Sequence, residues 1–179
     1  MKTLILMRHA KSDWSGPDVQ DHDRPLNARG KKAAARMAGY FMGNGLLPDI
    51  VLCSTAKRAR QTLDALLESA GRDLPVHYRR ALYFTSPDVI LDEIRDTPDS
   101  VTGPVNSLML VGHNPDTQAM ALHLASDAHD PNVVAMARKF PTGAAAIFRF
   151  DVNHWQDIAW GAGALLAFLK PKALKVPTE

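Results

Sequence analysis

Short uninterrupted apolar runs alternate along this chain with stretches in which apolar residues recur every three or four positions. Leu4-Ile5-Leu6-Met7 is one such run, closed at once by Arg8 and His9. Asp49-Ile50-Val51-Leu52-Cys53 and Ser107-Leu108-Met109-Leu110-Val111 repeat the design. A run without polar alternation suits a strand covered on both faces, so these predict three central strands of a mostly parallel sheet. Between them Ala34, Met37, Ala38 and Phe41 share one helical face, as do Ala59, Leu63, Leu66, Leu67 and Ala70. Asn27 is placed to cap the first helix and Gly43-Asn44-Gly45 to end it, while Ser54 or Thr55 caps a second that stops near Gly71. Ser86-Pro87-Asp88 and Asn114-Pro115-Asp116 each supply a cap, a first-turn proline and an acid, predicting two further helices. Gly143 to Asp151 and Asp157 to Trp160 predict strands joined by a turn at Asn153-His154, which leaves one edge antiparallel.

Alternation of strand and helix implies right-handed crossovers and therefore an α/β three-layer sandwich, a mostly parallel sheet with helices on both faces. With 179 residues, 46% of them hydrophobic, one domain is expected over residues 1–169. From Lys170 onward Pro171 and Pro177 stand among lysines, which predicts an extended C-terminal tail over 170–179. Twenty-one basic against 19 acidic residues leave a net charge of +2, so no global field points to a nucleic-acid or membrane partner. The single cysteine, Cys53, excludes an internal disulfide and reads as a buried structural thiol. The first apolar run is too short for a signal peptide or a membrane span, and a cytoplasmic location is the expectation.

Ligands of open α/β sheets bind beyond the carboxyl ends of the strands. After the first strand come Arg8 and His9; after the second, Ser54, Lys57, Arg58 and Arg60; after the third, Gly112, His113 and Asn114. Two histidines and several arginines thus gather on one edge. Guanidinium forks match phosphate oxygens, and a helix N-terminus adds N–H donors. No GxxxxGK[ST] loop and no carboxylate cluster stands at these strand ends, so neither a metal nor another cofactor is expected. Neutral imidazole amid fixed positive charge suits nucleophilic attack on phosphorus.

Four segments carry a family resemblance. Met7-Arg8-His9-Ala10 resembles the RHG signature of the histidine phosphatase superfamily, and Ser54-Thr55-Ala56-Lys57-Arg58-Ala59-Arg60-Gln61-Thr62 resembles its SPxxRxxQT element. Asp23-Arg24-Pro25-Leu26-Asn27-Ala28-Arg29-Gly30 is similar to the D-R-P-L-T-x-x-G stretch, and Val111-Gly112-His113-Asn114 to the element carrying a second histidine. Short length, the close-following DRPL stretch and the segment from Leu82-Tyr83 to Ser86-Pro87 look most like the SixA type of phosphohistidine phosphatase. The resemblance implies a phosphoglycerate mutase-like fold with a sheet of about six strands, and His9 as nucleophile. It implies that Arg8, Arg58 and His113 hold the phosphoryl oxygens. Arg24, Asn114 and Ser54 are substrate-binding candidates, with bracing of the loop an equal reading for Arg24.

Three departures bear on substrate. Ala10 replaces the common glycine, Thr55 the common proline, and no glutamate stands between Tyr78 and Ser86, where many members keep a proton donor. An alkoxide leaving group needs an acid, whereas a phosphoramidate with a protonated ring needs less help. The expected activity is therefore metal-independent dephosphorylation of phosphohistidine on a protein of the histidine-phosphotransfer kind. Asp18, Asp21 and Asp23 are unranked candidates for any acid. The alternatives are a phosphatase or mutase of small phosphomonoesters and a non-catalytic phosphate-binding module.

Overall fold

Side chains on neighbouring positions of a strand point to opposite faces, and in this chain that alternation divides the core in two. The structure, a computed structural model, describes residues 1–16, 18–71, 73–101 and 103–174. Its strands are β1 (Lys2–Arg8), β2 (Ile50–Ser54), β3 (Val76–Arg79), β4 (Ser107–Gly112), β5 (Ala145–Phe150) and β6 (Ala164–Leu169). The helices are α1 (Ala28–Gly43), α2 (Lys57–Ser69), α3 (Pro87–Arg95), α4 (Asp116–Leu124) and α5 (Pro131–Arg138). Leu4, Leu6, Leu52, Leu108 and Leu110 pack with Leu91, Ile94, Met120 and Met136 of α3, α4 and α5. Ile5, Met7, Val51, Cys53, Met109 and Val111 pack on the other face with Met37, Phe41, Leu63 and Leu66 of α1 and α2. The result is the expected three-layer α/β sandwich.

Six strands lie in the order β3-β2-β4-β1-β5-β6. β1 pairs in parallel with β4, β4 with β2 and β2 with β3. β5 runs antiparallel to β1, and β6 antiparallel to β5, so β6 again points the way β1 does. The carboxyl ends of β1, β2 and β4 therefore share one edge of the sheet.

Asn27 and Ser86 cap α1 and α3 as expected, accepting from the N–H groups of Gly30 and Val89. Other expectations need correction. Neither Ser54 nor Thr55 caps α2; Ala56 stands at that position, and the two hydroxyls meet His113 and His22 instead. Pro115, not Asn114, occupies the cap position of α4. Residues Asp157 to Trp160 are not a strand: Trp155–Asp157 forms a 3-10 turn, and the last strand comes later, at β6. There Trp155 and Ile158 are buried, three apart on one side of that turn, and the Trp155 indole N–H donates to the Val105 carbonyl at 3.0 Å. β3 and α5 were not expected. β3 is a polar edge strand with no apolar run, and α5 is capped by Asp130 ahead of Pro131.

The first residues of the expected extended tail are folded. Pro171–Ala173 forms a 3-10 turn, Pro171 is buried, and its carbonyl accepts from Arg36 of α1 at 3.1 Å. Leu174 packs beside the α1–α2 core, which supplies the apolar contact that the lysine-rich sequence seemed to lack. Residues 175–179 lie outside the described residues.

Candidate active site

β1 delivers Arg8 and His9 to the shared edge because its backbone stays hydrogen-bonded to the end of β4, with the His9 N–H donating to the Gly112 carbonyl at 2.9 Å. Beyond His9 the chain is tied to α2. The Ala10 N–H donates to the Thr62 hydroxyl at 2.9 Å, and that hydroxyl donates to the Arg58 carbonyl one turn back at 2.7 Å. Thr62 thus fixes the loop after β1 against the helix that carries Arg58.

The Nδ1 of His9 lies 2.7 Å from the Ala10 carbonyl. A carbonyl can only accept, so Nδ1 is assigned the proton and Nε2 keeps its lone pair. That lone pair accepts from the Arg58 Nε–H at 3.3 Å. Arg58, 1% exposed, also donates from Nη1 to the Asp21 carbonyl at 2.6 Å and from Nη2 to Asp21 Oδ2 at 3.1 Å. Asp21 also takes Arg24 on Oδ1, with Nε at 3.0 Å and Nη2 at 2.8 Å. The Tyr83 hydroxyl donates to its Oδ2 at 2.5 Å.

His113 stands with its ring centroid 5.1 Å from that of His9, the planes tilted by 54°. Its Nε2 is 2.8 Å from Ser54 Oγ, which itself accepts from the Ala56 N–H at 3.3 Å. His113 Nε2 is the acceptor within reach of the serine hydroxyl proton, so Ser54 is assigned as the donor and the ring proton to Nδ1. His113 Nδ1 is buried without a protein partner, and so is Arg8 Nε, while Arg8 Nη1 is held by the Phe140 carbonyl at 2.8 Å. Buried donors left without an acceptor are costly, and a phosphate oxygen is the acceptor that this cationic hollow would favour.

Burial lowers the pKa of His9 to about 3, helped by the charges of Arg58, Arg8 and Arg24 and opposed by the Ala10 hydrogen bond. His113 is lowered to about 3 by burial and by its proximity to His9 and Arg58. Both rings are neutral near pH 7. Burial works against ionisation of Asp21, but the hydrogen bonds from Tyr83 and Arg24 and the charge of Arg58 outweigh it and hold the pKa at about 2. A neutral nucleophile, two guanidinium groups and a second imidazole donor thus surround a space suited to a tetrahedral dianion.

The four residues expected at the centre, Arg8, His9, Arg58 and His113, come together. The residues expected to touch substrate are each bonded within the protein. Ser54 is fully buried and serves His113 rather than an open face. Arg24 holds Asp21 from Nε and Nη2 and reaches Ser12 Oγ from Nη1 at 2.9 Å, which fits the bracing reading, one of the two held equal for it. The Asn114 amide donates to Gln118 and to the Phe140 carbonyl that also holds Arg8. Lys57 and Arg60 line a flanking hollow of about 310 Å³ with His22 and Asp23. Among the described residues no group of three or more His, Cys, Asp or Glu side chains is gathered to hold a metal ion. Tyr83, Phe84, Thr62 and Asp116 were not expected at the site; the first three stand within the segments that carry the resemblance, whereas Asp116 lies outside them.

Residues 4–83 match the pattern of the histidine phosphatase superfamily (branch 1). An uncharacterized protein of Mycobacterium tuberculosis is 42% identical over 169 residues, spanning 93% of this chain and 100% of its own length. The chain belongs to the histidine phosphatase superfamily. Within it the structure is SixA-like. It matches the SixA protein of Nakamurella multipartitia, provisionally assigned as a phosphohistidine phosphatase, with TM-score 0.82 and 33% identity over 96% of this chain and 97% of that one. A 2,3-bisphosphoglycerate-dependent phosphoglycerate mutase of Streptomyces avermitilis is 43% identical over only 77 residues, 41% of this chain and 30% of that enzyme. No helix among the described residues is long and apolar enough to cross a membrane.

Proposed function

We propose that this histidine phosphatase removes the phosphoryl group from phosphohistidine on another protein, passing it through His9. The lone pair of His9 Nε2 forms a new N–P bond as the substrate P–N bond breaks and its electron pair returns to the departing ring. That ring, protonated on its other nitrogen, carries a positive charge in the substrate and leaves as neutral imidazole. His9 keeps its Nδ1 proton against the Ala10 carbonyl, so it takes over the positive charge with the phosphoryl group. Water then attacks phosphorus, the electron pair returns to Nε2, and phosphate and one proton are released. Arg8, Arg58 and His113 hold the non-bridging oxygens through both displacements.

One observation carries the choice of substrate. Asp21, the carboxylate bonded to Arg58, is locked by Arg58, Arg24 and Tyr83 and held ionised with a pKa of about 2. An ionised carboxylate has no proton for an alkoxide. A phosphoramidate needs none, because nucleophile and leaving group are the same heterocycle and the first transfer is close to balanced. Of the other candidates, Asp23 is bonded to His22 on the exposed side of the loop.

A second reading, a phosphatase of small phosphomonoesters, has one observation in its favour. Asp116, three residues beyond His113, is 7% exposed and burial raises its pKa, which makes it a candidate proton donor near this edge. Its Oδ2 accepts the Thr85 N–H at 3.0 Å, a bond that favours the ionised form. The two readings separate in one assay, run without added metal and with a chelator present. A phosphohistidine-bearing carrier domain and a panel of phosphomonoesters are incubated with the wild type and with His9→Ala. Turnover of the carrier domain that vanishes in His9→Ala is the expected result. Efficient turnover of monoesters with the carrier untouched, sensitive to Asp116→Asn, would establish the second reading instead.

A further inference from the structure

Phe84 is the sole non-glycine residue among the described ones with a positive φ, at +48°. A bulky aromatic in left-handed backbone is strained, and such strain persists where the surroundings impose it. Here they do. On one side Tyr83 is fastened to Asp21, and on the other the Thr85 N–H is fastened to the Asp116 carboxylate. The conformation holds the Phe84 ring 55% exposed, although nothing in folding alone favours presenting a phenyl ring to solvent.

The ring is exposed at the phosphate site. Its centroid lies 5.5 Å from that of His113 and 4.6 Å from that of Tyr83, and the Arg58 guanidinium carbon sits 5.8 Å from both aromatic rings. Phe84 and Tyr83 therefore form an aromatic wall beside two guanidiniums, two imidazoles and the Asp21 carboxylate that Arg58, Arg24 and Tyr83 engage. A phosphohistidine arriving with its phosphoryl group among Arg8, Arg58 and His113 brings a positively charged ring that these guanidiniums repel. An aromatic face attracts a cation and stacks with a flat heterocycle.

Resting on the proposed phosphohistidine activity, the geometry points to Phe84 as the specificity-determining residue that receives the departing imidazole ring of the substrate. It takes the place in the pocket at which an ester-cleaving relative would need a proton donor. Phe84 selects for a planar ring that carries positive charge in the bound substrate, and the strained backbone is what turns the Phe84 side chain to the site.

The test compares two small substrates, phosphoimidazole, whose leaving group is the ring, and phosphoramidate, whose leaving group is ammonia. Phe84→Leu keeps apolar bulk and removes the aromatic face. The ratio of kcat/KM for phosphoimidazole over phosphoramidate is expected to fall about tenfold in Phe84→Leu and to be largely restored in Phe84→Tyr. A ratio within twofold of the wild type in Phe84→Leu overturns the inference while leaving the phosphohistidine activity standing. If the wild type cleaves neither phosphoimidazole nor a phosphohistidine carrier, that activity fails, and this inference with it. Phe84→Gly gives an independent readout of the strain: its melting temperature should rise by about 3 °C while the ratio falls. A melting temperature that drops in Phe84→Gly would show that the ring is held for packing rather than for substrate.

Discussion

His9 and His113 face each other in a buried, positively charged setting, and their protonation is the property on which a neutral nucleophile depends. With both pKa values near 3, neither ring should titrate in the range where an exposed imidazole does. Nitrogen-15 shifts of the two rings, followed from pH 8 to pH 5 in the folded protein, should stay those of neutral imidazole, His9 protonated on Nδ1. A midpoint near 6.5 for either ring would contradict the desolvated site. Arg58→Ala should lower kcat by on the order of 10²-fold or more, since it removes a donor from the phosphoryl oxygens and the partner of Asp21 together. Ser54 and Arg24 spend donors inside the protein, Ser54 on His113 and Arg24 on Asp21, the latter being the bracing reading held equal to phosphate contact. Such partnerships join residues far apart in the chain, and no local pattern displays them.

The elements that carry these residues hold one another at close range. Gly30, in the first turn of α1, lies so near the loop after β1 that an added Cβ would stand 2.1 Å from the Lys11 carbonyl oxygen. Backbone cannot yield as a side-chain tip does. Gly30→Ala should therefore destabilise the protein by about 1–3 kcal/mol, an overpacking cost, and lower kcat as well by displacing the loop that begins at His9. Urea unfolding and steady-state kinetics on the same variant check both, and an unfolding midpoint equal to the wild type would show that α1 can shift freely. α1 and α2 were legible because their apolar residues recur with helical period and their ends carry local signals. β3 was not, because it is an edge strand without an apolar run. β6 does carry one, Ala164–Leu169, but the expected strand lay earlier, at Asp157 to Trp160. Ile158 misled there, since its burial belongs to a turn packed on α3 rather than to a strand.

For the molecule as a whole, the buried neutral histidines make stability depend on pH. In the unfolded chain an imidazole takes its proton near pH 6.5, whereas in the folded chain His9 and His113 resist it until about pH 3. The unfolded state thus binds more protons as pH falls, so this contribution is complete above pH 6.5 and is lost progressively below it. Each ring should cost about 1.4 kcal/mol per pH unit in that range. Denaturant unfolding at pH 7.5 and pH 5.5 should show a loss of about 2–3 kcal/mol from the pair. The loss should be about halved in His9→Asn, and an undiminished loss in that variant would assign the acid sensitivity elsewhere.

By itself the sequence determined the layering and the identity of the central groups. Continuous apolar runs specify covered strands, three-and-four periodicity specifies the helices beside them, and Arg8, His9, Arg58 and His113 follow strands whose carboxyl ends must share an edge. Only the tertiary structure decided what the remaining polar residues do. Asp21 becomes an ionised anchor through Arg58, Arg24 and Tyr83; Ser54 becomes the partner of His113; Phe84 becomes an exposed wall held by its neighbours' bonds. Hydrophobic burial is encoded position by position along the chain, whereas a hydrogen bond or an imposed backbone angle exists only once distant segments have met.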